Sequence, residues 1–431
     1  MSCARYLHQR GERFCVVDTR SEPPALAQLR SELPGTDIYL QRVPTGLLES
    51  AEEVIVSPGI ALDAPVLAPV HQAGVAVVGD IDLFVRAAEA PVIGITGSNA
   101  KSTVTELVGR MAARSGLTVG VGGNLGTPAL DLLAADTQLY VLELSSFQLE
   151  RAGELGLAVA AVLNISADHL DRHGDMQGYH RAKHRIFRGC RGAVINCDDA
   201  LTRPLVDARV KVTSWRVGEP ELSGFGLRNI DGQPCLCHGF EALLPASELA
   251  MAGRHNIGNA LAALAIAEAG GVDSAAAVAT LREFRGLPHR CEEVAAIAGV
   301  RFINDSKGTN IGATAAALEG FGGDRNIVLI AGGQGKGADF SALRAVVERH
   351  CKLLLLIGEA ASEMQSCLGD LVPTRLEETL EQAVREAGRQ ALPGDCVLLS
   401  PACASFDMFS GYVERGERFR EVVAFLSGET P

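Results

Sequence analysis

Short runs of β-branched residues and leucine recur along the chain, at 14–17, 54–56, 75–78, 92–96, 139–142, 159–165, 194–195, 302–303, 327–330, 353–357 and 397–399. Between many of them lie stretches whose apolar positions fall three and four apart, as at 104–114, 256–269 and 376–387. Unbroken apolar runs are the signature of strands buried on both faces, and their alternation with helical spacing predicts parallel sheets covered by helices. Several runs end in a polar or glycine-rich cluster: Asp-Thr-Arg at 18–20, Ser-Pro-Gly at 57–59, Thr-Gly-Ser-Asn at 96–99 and Asn-Asp-Ser-Lys at 304–307. Ligands of parallel α/β sheets bind at the carboxyl ends of strands, so these clusters are where chemistry is expected.

Length and composition narrow this picture. At about 150 residues per domain, 431 residues give about three domains of doubly wound α/β type. The net charge of −13 argues against a general nucleic-acid binder held by phosphate attraction, though not against a local anion site. No run reaches the length of a spanning helix and the N-terminus has no signal pattern, so a cytoplasmic protein is expected. The 11 cysteines are scattered with no CxxC pair, which points to reduced, packed thiols rather than zinc ligands or a disulfide framework.

The strongest local signal covers residues 91–116: an apolar strand, a turn containing Gly97, then Lys101, Ser102 and Thr103 opening an amphipathic helix. Amides at a helix N-terminus make an anion site; Lys101 would reach the β/γ-phosphates and a hydroxyl of Ser102 or Thr103 would hold Mg²⁺. The match to the GxxxxGK[ST] pattern is imperfect, because Ile95 and Ala100 stand where its glycines belong; a bland turn with a surface lysine is the competing reading. Downstream, Glu143 closes an apolar strand, where an unpaired carboxylate is costly unless it meets a cation. His169 also follows a strand, and a carboxylate with an imidazole can ligate a divalent metal. Taken singly these residues are more often structural, and Lys183 reads as one basic residue on an exposed helix. Asn256 and Asn259 share a helix face, as an N-cap or as amides reading a base or ribose. Lys307, Lys336 and Ser405 follow further apolar runs and would suit an anionic small molecule.

Together the segments GITGSNAKSTVT, VGGNLGTPAL, YVLELSSFQLE, ADHLDRH, RHNIGNALAAL, GLPHR, INDSKGTN, GGQGKG and LLSPACASFDMF resemble the Mur ligases, and among them the branch that adds D-glutamate. The likeness runs from about Asp18 to Gly416. It implies a three-domain α/β chain: a Rossmann-like UDP-sugar domain at 1–79, a central P-loop-type ATPase domain with a mostly parallel sheet at 80–286, and a Rossmann-like amino-acid domain at 287–431. The implied reaction is ATP-dependent joining of D-glutamate to UDP-N-acetylmuramoyl-L-alanine in peptidoglycan precursor synthesis, through an acyl phosphate and a tetrahedral intermediate. Its electrostatic demands are those of phosphoryl transfer. By resemblance Gly97, Ser98, Asn99, Ala100, Lys101, Ser102 and Thr103 cradle the ATP phosphates, and Asn259, Arg290 and Asp305 contact its base and ribose. Ser102, Thr103, Glu143, His169 and Lys183 would serve two Mg²⁺ ions, with Lys183 carbamylated, since an ammonium repels a cation and a carbamate binds one. Lys101, Glu143, His169 and Lys183 are thus the implied catalytic set. Asp18, Thr19, Arg20, Ser57 and Gly59 fall in the UDP domain; Asn124, Ser145 and Gln148 fall where the muramoyl-alanine part is held. Lys307, Thr309, Lys336, Ser405 and Tyr412 fall around the D-glutamate site. A monomer without nucleic-acid or membrane partners completes the implication.

Some features depart from the pattern. Ala100 replaces the commoner glycine but keeps every loop amide, so phosphate binding is expected to survive. Residues 2–10 read as a helix directly before the first strand, whereas such domains open with a strand and a glycine-rich turn. The expectation is a translation start upstream by about 12–18 residues, and a split sheet where that central strand is lacking. Two other readings stand beside the D-glutamate ligase: a related ligase using another amino acid, and a nucleotide-binding module without ligase activity.

Overall fold

The computed structural model of the chain describes residues 1–124, 126–251 and 253–428. The chain divides into two compact units, one of 1–165, 169–215 and 262–277, the other of 166–168, 216–261 and the chain from 278 onward.

In the first unit the strands are β1 (Cys15–Asp18), β2 (Asp37–Leu40), β3 (Glu53–Ile55), β4 (Ala76–Val78), β5 (Val92–Thr96), β6 (Val119–Gly123), β7 (Leu139–Glu143), β8 (Val159–Val162), β9 (Gly192–Asn196) and β10 (Lys211–Trp215). The last six pair in parallel in the order β10-β9-β8-β5-β7-β6. Every residue of β5, β7 and β8 is buried, as an unbroken apolar run requires. The helix Lys101–Arg114 buries Val104, Leu107, Val108 and Met111 against this sheet. A second apolar layer includes Phe84, Leu142, Val162, Ile186 and Phe187. The N-terminal strands form two separate two-stranded parallel sheets, β1–β2 and β3–β4, each over its own small core. The separation agrees with the split sheet expected from the sequence. The helix Ser2–Gln9 forms where the sequence placed it.

The second unit contains an antiparallel meander of β11 (Phe225–Ile230), β12 (Gln233–His238) and β13 (Glu241–Pro245). Sequence reading passed over it because its strands interleave arginine, asparagine, glutamine and proline with apolar residues. The remaining strands are β14 (Glu292–Ile297), β15 (Val300–Asn304), β16 (Ile327–Gly332), β17 (Cys351–Ile357), β18 (Thr374–Leu376) and β19 (Cys396–Leu399). Their order is β14-β15-β19-β16-β17-β18, with β14 antiparallel and the others parallel. Alternate residues feed two cores: Leu329, Leu354, Leu356 and Leu398 on one face, Val328, Ile330, Leu355 and Leu399 on the other. The stretch 376–387, expected as one helix, is instead the end of β18 followed by the helix Leu380–Gln390. Thr379 fixes the start, accepting from the amide of Gln382 in a capping box. All eleven cysteines are free, and Cys190, Cys235, Cys237, Cys351, Cys396 and Cys403 are buried. Among the described residues no helix is long and apolar enough to cross a membrane.

Two stability predictions follow from local geometry. Ala100 enters the helix Lys101–Arg114 at φ 64° and ψ −2°, a left-handed conformation that costs a β-carbon about 1–2 kcal/mol. Glycine returns about 0.5–1 kcal/mol of that gain through its freer unfolded chain. Ala100→Gly should therefore leave stability unchanged or raise it by up to ~1 kcal/mol, read as the thermal midpoint; a drop would contradict the assignment. His255, edge-on to Phe321 with ring centroids 5.6 Å apart, has a buried Nδ1 that meets no hydrogen-bond partner among the described residues, and burial pushes its imidazole down to about 4. An unfolded histidine titrates near 6.5, so between about pH 6.5 and 4 the unfolded chain binds a proton the folded one refuses. Stability should fall by up to about 3 kcal/mol as pH drops through that window, and denaturation of His255→Leu should show a correspondingly shallower acid slope.

Candidate active site

The loop 97–100 begins where β5 ends. Gly97 is needed for close approach: a Cβ there would lie 3.1 Å from Leu163 Cβ and 3.4 Å from the amide nitrogen of Asn164. The loop is then stapled from the end of β8. Ser98 N donates to Asn164 O at 2.9 Å, Asn99 N to Asn164 Oδ1 at 2.8 Å, and Asn164 Nδ2 to Asn99 O at 3.2 Å. Ser98 Oγ lies 3.1 Å from the hydroxyl of buried Tyr179. Lys101 curls over its own loop, donating from Nζ to Gly97 O and Ser98 O, both at 2.9 Å. Ser102 and Thr103 are buried in the first turn of the helix.

Glu143, 2% exposed at the end of β7, accepts from Ser102 Oγ on one oxygen and from Asn124 Nδ2 on the other, each at 2.6 Å. Its carboxylate is thus met by a hydroxyl and an amide. Gly123, at φ 97°, lets the chain after β6 come this close, since a Cβ would fall 2.5 Å from Glu143 O.

Lys183 corrects the sequence reading of an exposed helix position: it is 1% exposed, on the inward face of the helix Met176–His184. Its Nζ donates to Gly97 O at 2.8 Å and stands 4.6 Å from the Tyr179 ring centroid. One turn separates Tyr179 from Lys183, so a single helix face carries both to the loop of Gly97 and Ser98. His169 is exposed at φ 53°, its ring 4.8 Å from that of Phe147, and His173 Nε2 lies 3.0 Å from Ser146 Oγ. Ser145 caps the helix Ser146–Arg151, and Gln148 both accepts from the amide of Ser145 and donates to Asp80 at 3.0 Å.

These residues fit a hard divalent cation in kind. Glu143 supplies a carboxylate, Ser102 a hydroxyl already in contact with it, and Ser102 lies directly after the loop 97–100. Among the described residues no three histidine, cysteine, aspartate or glutamate side chains cluster as a ready-made site.

Farther toward the N-terminus, Asp18 ends β1 and holds Arg20 at 2.9 and 2.7 Å, which keeps the Asp18 carboxyl below its usual range; Thr19 between them is exposed. Ser57 and Gly59 lie exposed in the loop after β3.

In the second unit the candidate residues gather on loops at the carboxyl ends of β15, β16 and β19. Arg415, 1% exposed and missed by sequence reading, binds them: its guanidinium donates to Ser306 Oγ at 3.0 Å, Ser306 O at 2.8 Å and Cys403 O at 3.2 Å. Gln334 and Ala404 exchange backbone hydrogen bonds at 2.9 and 3.1 Å, joining the loop of Lys336 to that of Ser405. Lys307 Nζ lies 4.1 Å over the Tyr412 ring, Lys336 Nζ 5.7 Å over that of Phe406, and Ser405 is buried. Thr309 is half-buried two residues beyond Lys307. Asp305 is buried and both its oxygens are engaged, by Ser400 Oγ at 2.7 Å and Cys291 N at 3.2 Å; burial pushes its carboxyl up to about 6. Arg290 is half-buried beside it in sequence to Cys291, and Asn259 Nδ2 donates to Asn256 Oδ1 at 2.7 Å.

Family models match nearly the whole chain: a MurD-like Mur ligase N-terminal domain over residues 1–79, a Mur ligase middle domain over 95–267, and a Mur ligase glutamate ligase domain over 289–403. UDP-N-acetylmuramoylalanine--D-glutamate ligase of Pseudomonas syringae pv. syringae (strain B728a) is 52% identical over 429 residues, covering 99% of this chain and 96% of the relative. The enzyme of the same name from Hahella chejuensis is 48% identical over 428 residues, again 99% and 96%. Among solved structures, the fold is shared with UDP-N-acetylmuramate-alanine ligase MurC from Thermotoga maritima, at TM-score 0.59 and 19% identity over 99% of this chain and 96% of that one. It is also shared with a pseudomurein peptide ligase type C from Methanothermus fervidus, at TM-score 0.58 and 18% identity over 99% and 97%. The three matched domains, the parallel central sheet and this full-length identity place the chain in the Mur ligase family.

Proposed function

We infer that the chain is an ATP-dependent ligase that adds D-glutamate to UDP-N-acetylmuramoyl-L-alanine in peptidoglycan precursor synthesis. The observation that carries this reading is the 52% identity, over 99% of the chain, to relatives bearing that activity in their names. The geometry supports the chemistry. Phosphoryl transfer asks mainly for positioning and for cationic groups on the phosphate oxygens. The loop 97–103 supplies amides and the Lys101 ammonium for that purpose. Glu143 and Ser102 would hold Mg²⁺, with His169, Thr103 and a carbamylated Lys183 as further ligands of a two-ion site. The metal would neutralise charge on the transferring phosphoryl group.

In this reading the substrate carboxylate takes the γ-phosphoryl group and ADP leaves. The amine of D-glutamate then attacks the acyl carbon, and the tetrahedral adduct collapses with loss of phosphate. Asn124, Ser145 and Gln148 are assigned to the muramoyl-alanine portion, Asp18, Thr19, Arg20, Ser57 and Gly59 to UDP, and Asn259, Arg290 and Asp305 to the adenosine. Lys307, Thr309, Lys336, Ser405 and Tyr412 are assigned to the acidic amino acid. Two lysines suit its carboxylates, and Arg415 behind them ties their loops together through neutral acceptors. Domain limits at about residues 79 and 286 and a cytoplasmic monomer acting on small molecules complete the proposal; the net charge of −13 supports the lack of a nucleic-acid partner.

Two assays test it. ADP release from purified protein should require all three of ATP, UDP-N-acetylmuramoyl-L-alanine and D-glutamate, and L-lysine, meso-diaminopimelate or L-alanine should not replace D-glutamate. Turnover with one of those instead would overturn the substrate, and ATP hydrolysis indifferent to the amino acid would overturn the ligase. Lys183→Ala should lower kcat by about 10²–10³-fold, the scale of losing a charge-stabilising group, with partial rescue by short-chain carboxylic acids that replace the carbamate. Wild-type activity in that variant would refute the carbamate.

A further inference from the structure

A buried guanidinium stands behind the loop that follows β3. Arg151, the last residue of the helix Ser146–Arg151, has a fully buried side chain. It donates from Nη1 to Val56 O at 3.3 Å, and from Nη2 to Pro58 O at 3.3 Å and Ile60 O at 2.8 Å. Arg172 adds a second donor to Ile60 O at 3.0 Å and holds Glu150 at 2.6 Å. The carbonyls so gathered belong to alternate residues. In a planar trans peptide the C=O and the following N–H point in opposite directions, and the described chain has no cis peptide. Turning the carbonyls of 56, 58 and 60 inward therefore turns the amides of Ser57, Gly59 and Ala61 outward.

The burial pattern agrees: Val56 is buried, Pro58 and Ile60 are half-buried, and Ser57 and Gly59 are exposed. Among the described residues none of those three amides has an acceptor, whereas the amide of Ile60 closes a turn on Ser57 O at 3.0 Å. Around Gly59 there is open space, with nothing within 4 Å of a Cβ built there. Amides turned to one open face are donors for anionic oxygen. Gly79 completes the arrangement by leaving room for the arginine stem, since a Cβ there would fall 2.9 Å from Arg151 Cγ.

We infer that Arg151 is a positioning residue for the nucleotide sugar: by holding the carbonyls of Val56, Pro58 and Ile60, it presents the amides of Ser57, Gly59 and Ala61 to the diphosphate. The inference rests on the proposed ligase reading for the identity of the ligand, a nucleoside diphosphate sugar. It also gives the helix of Ser145 and Gln148 a second task, because the same six residues carry the proposed acyl-end contacts at one end and the loop's anchor at the other.

The test compares wild type with Arg151→Met, Arg151→Lys and Gly79→Ala, using UDP and ADP as calorimetric probes beside steady-state kinetics. Arg151→Met should weaken UDP binding and raise KM for the nucleotide sugar by about 10-fold, the size of one lost charged hydrogen-bond set. KM for ATP and D-glutamate, kcat and ADP binding should stay near wild type. Arg151→Lys should recover part of the loss, and Gly79→Ala, which displaces the stem while keeping the guanidinium, should reproduce it if Arg151→Met folds poorly. Unchanged UDP affinity in Arg151→Met and Gly79→Ala, or equal losses for UDP and ADP, would overturn the inference. Wild-type protein that binds UDP yet shows no D-glutamate-dependent turnover would refute the ligase reading alone, leaving the Arg151 comparison to be judged on UDP binding.

Discussion

A carboxylate closed off at the end of a buried parallel strand has to be met by donors, because leaving it bare in the interior costs far more than the strand gains. Glu143 imposes that requirement on the first unit, and Ser102 and Asn124 answer it at 2.6 Å each. The consequence is geometric. The end of β7, the first turn of the helix Lys101–Arg114 and the chain leaving β6 become fixed to one another through a single side chain. The order of the parallel sheet makes this reachable, since β5 pairs with β7 and β7 with β6. The turn opening the helix Lys101–Arg114, an acidic group and an amide are thereby held together, an arrangement that would suit the positioning phosphoryl transfer depends on.

The second unit meets the opposite charge with the same economy of parts. Arg415 is buried among backbone carbonyls and a hydroxyl, and in satisfying its donors it fastens the loop after β15 to the loop after β19. The exchange between Gln334 and Ala404 adds the loop after β16. These three strands are neighbours in the sheet, so their carboxyl-terminal loops form one rim, carrying Lys307, Lys336, Ser405 and Tyr412. These cross-links hold the loops of the rim to one another.

Elements built from contiguous signal were legible in the sequence. The run at 92–96 becomes β5 with the same limits, and the glycine, lysine and hydroxyl residues after it form the loop they suggested. The meander of β11 to β13 was not, because its alternation is broken by charged and amide side chains whose burial is decided by partners elsewhere. Lys183 shows the limit most plainly. In sequence it is one of several basic residues in a polar stretch; its burial comes from a carbonyl 86 positions away and from a tyrosine one turn earlier. Asn164, Arg151 and Arg415 escaped notice for the same reason. Each is a polar side chain with no local motif, and its importance comes from backbone atoms of distant loops. Composition and spacing report what a segment prefers, whereas these residues act through what the fold brings to them.

The account turns on the substrate carboxyl accepting phosphate before the amine arrives. Supplying UDP-N-acetylmuramoyl-L-alanine labelled with ¹⁸O in that carboxylate, together with ATP and D-glutamate, tests it directly. Inorganic phosphate released in step with ligation should carry one labelled oxygen per molecule, transferred when the acyl carbon exchanges its phosphoryl oxygen for nitrogen. Product formation accompanied by unlabelled phosphate would contradict the account.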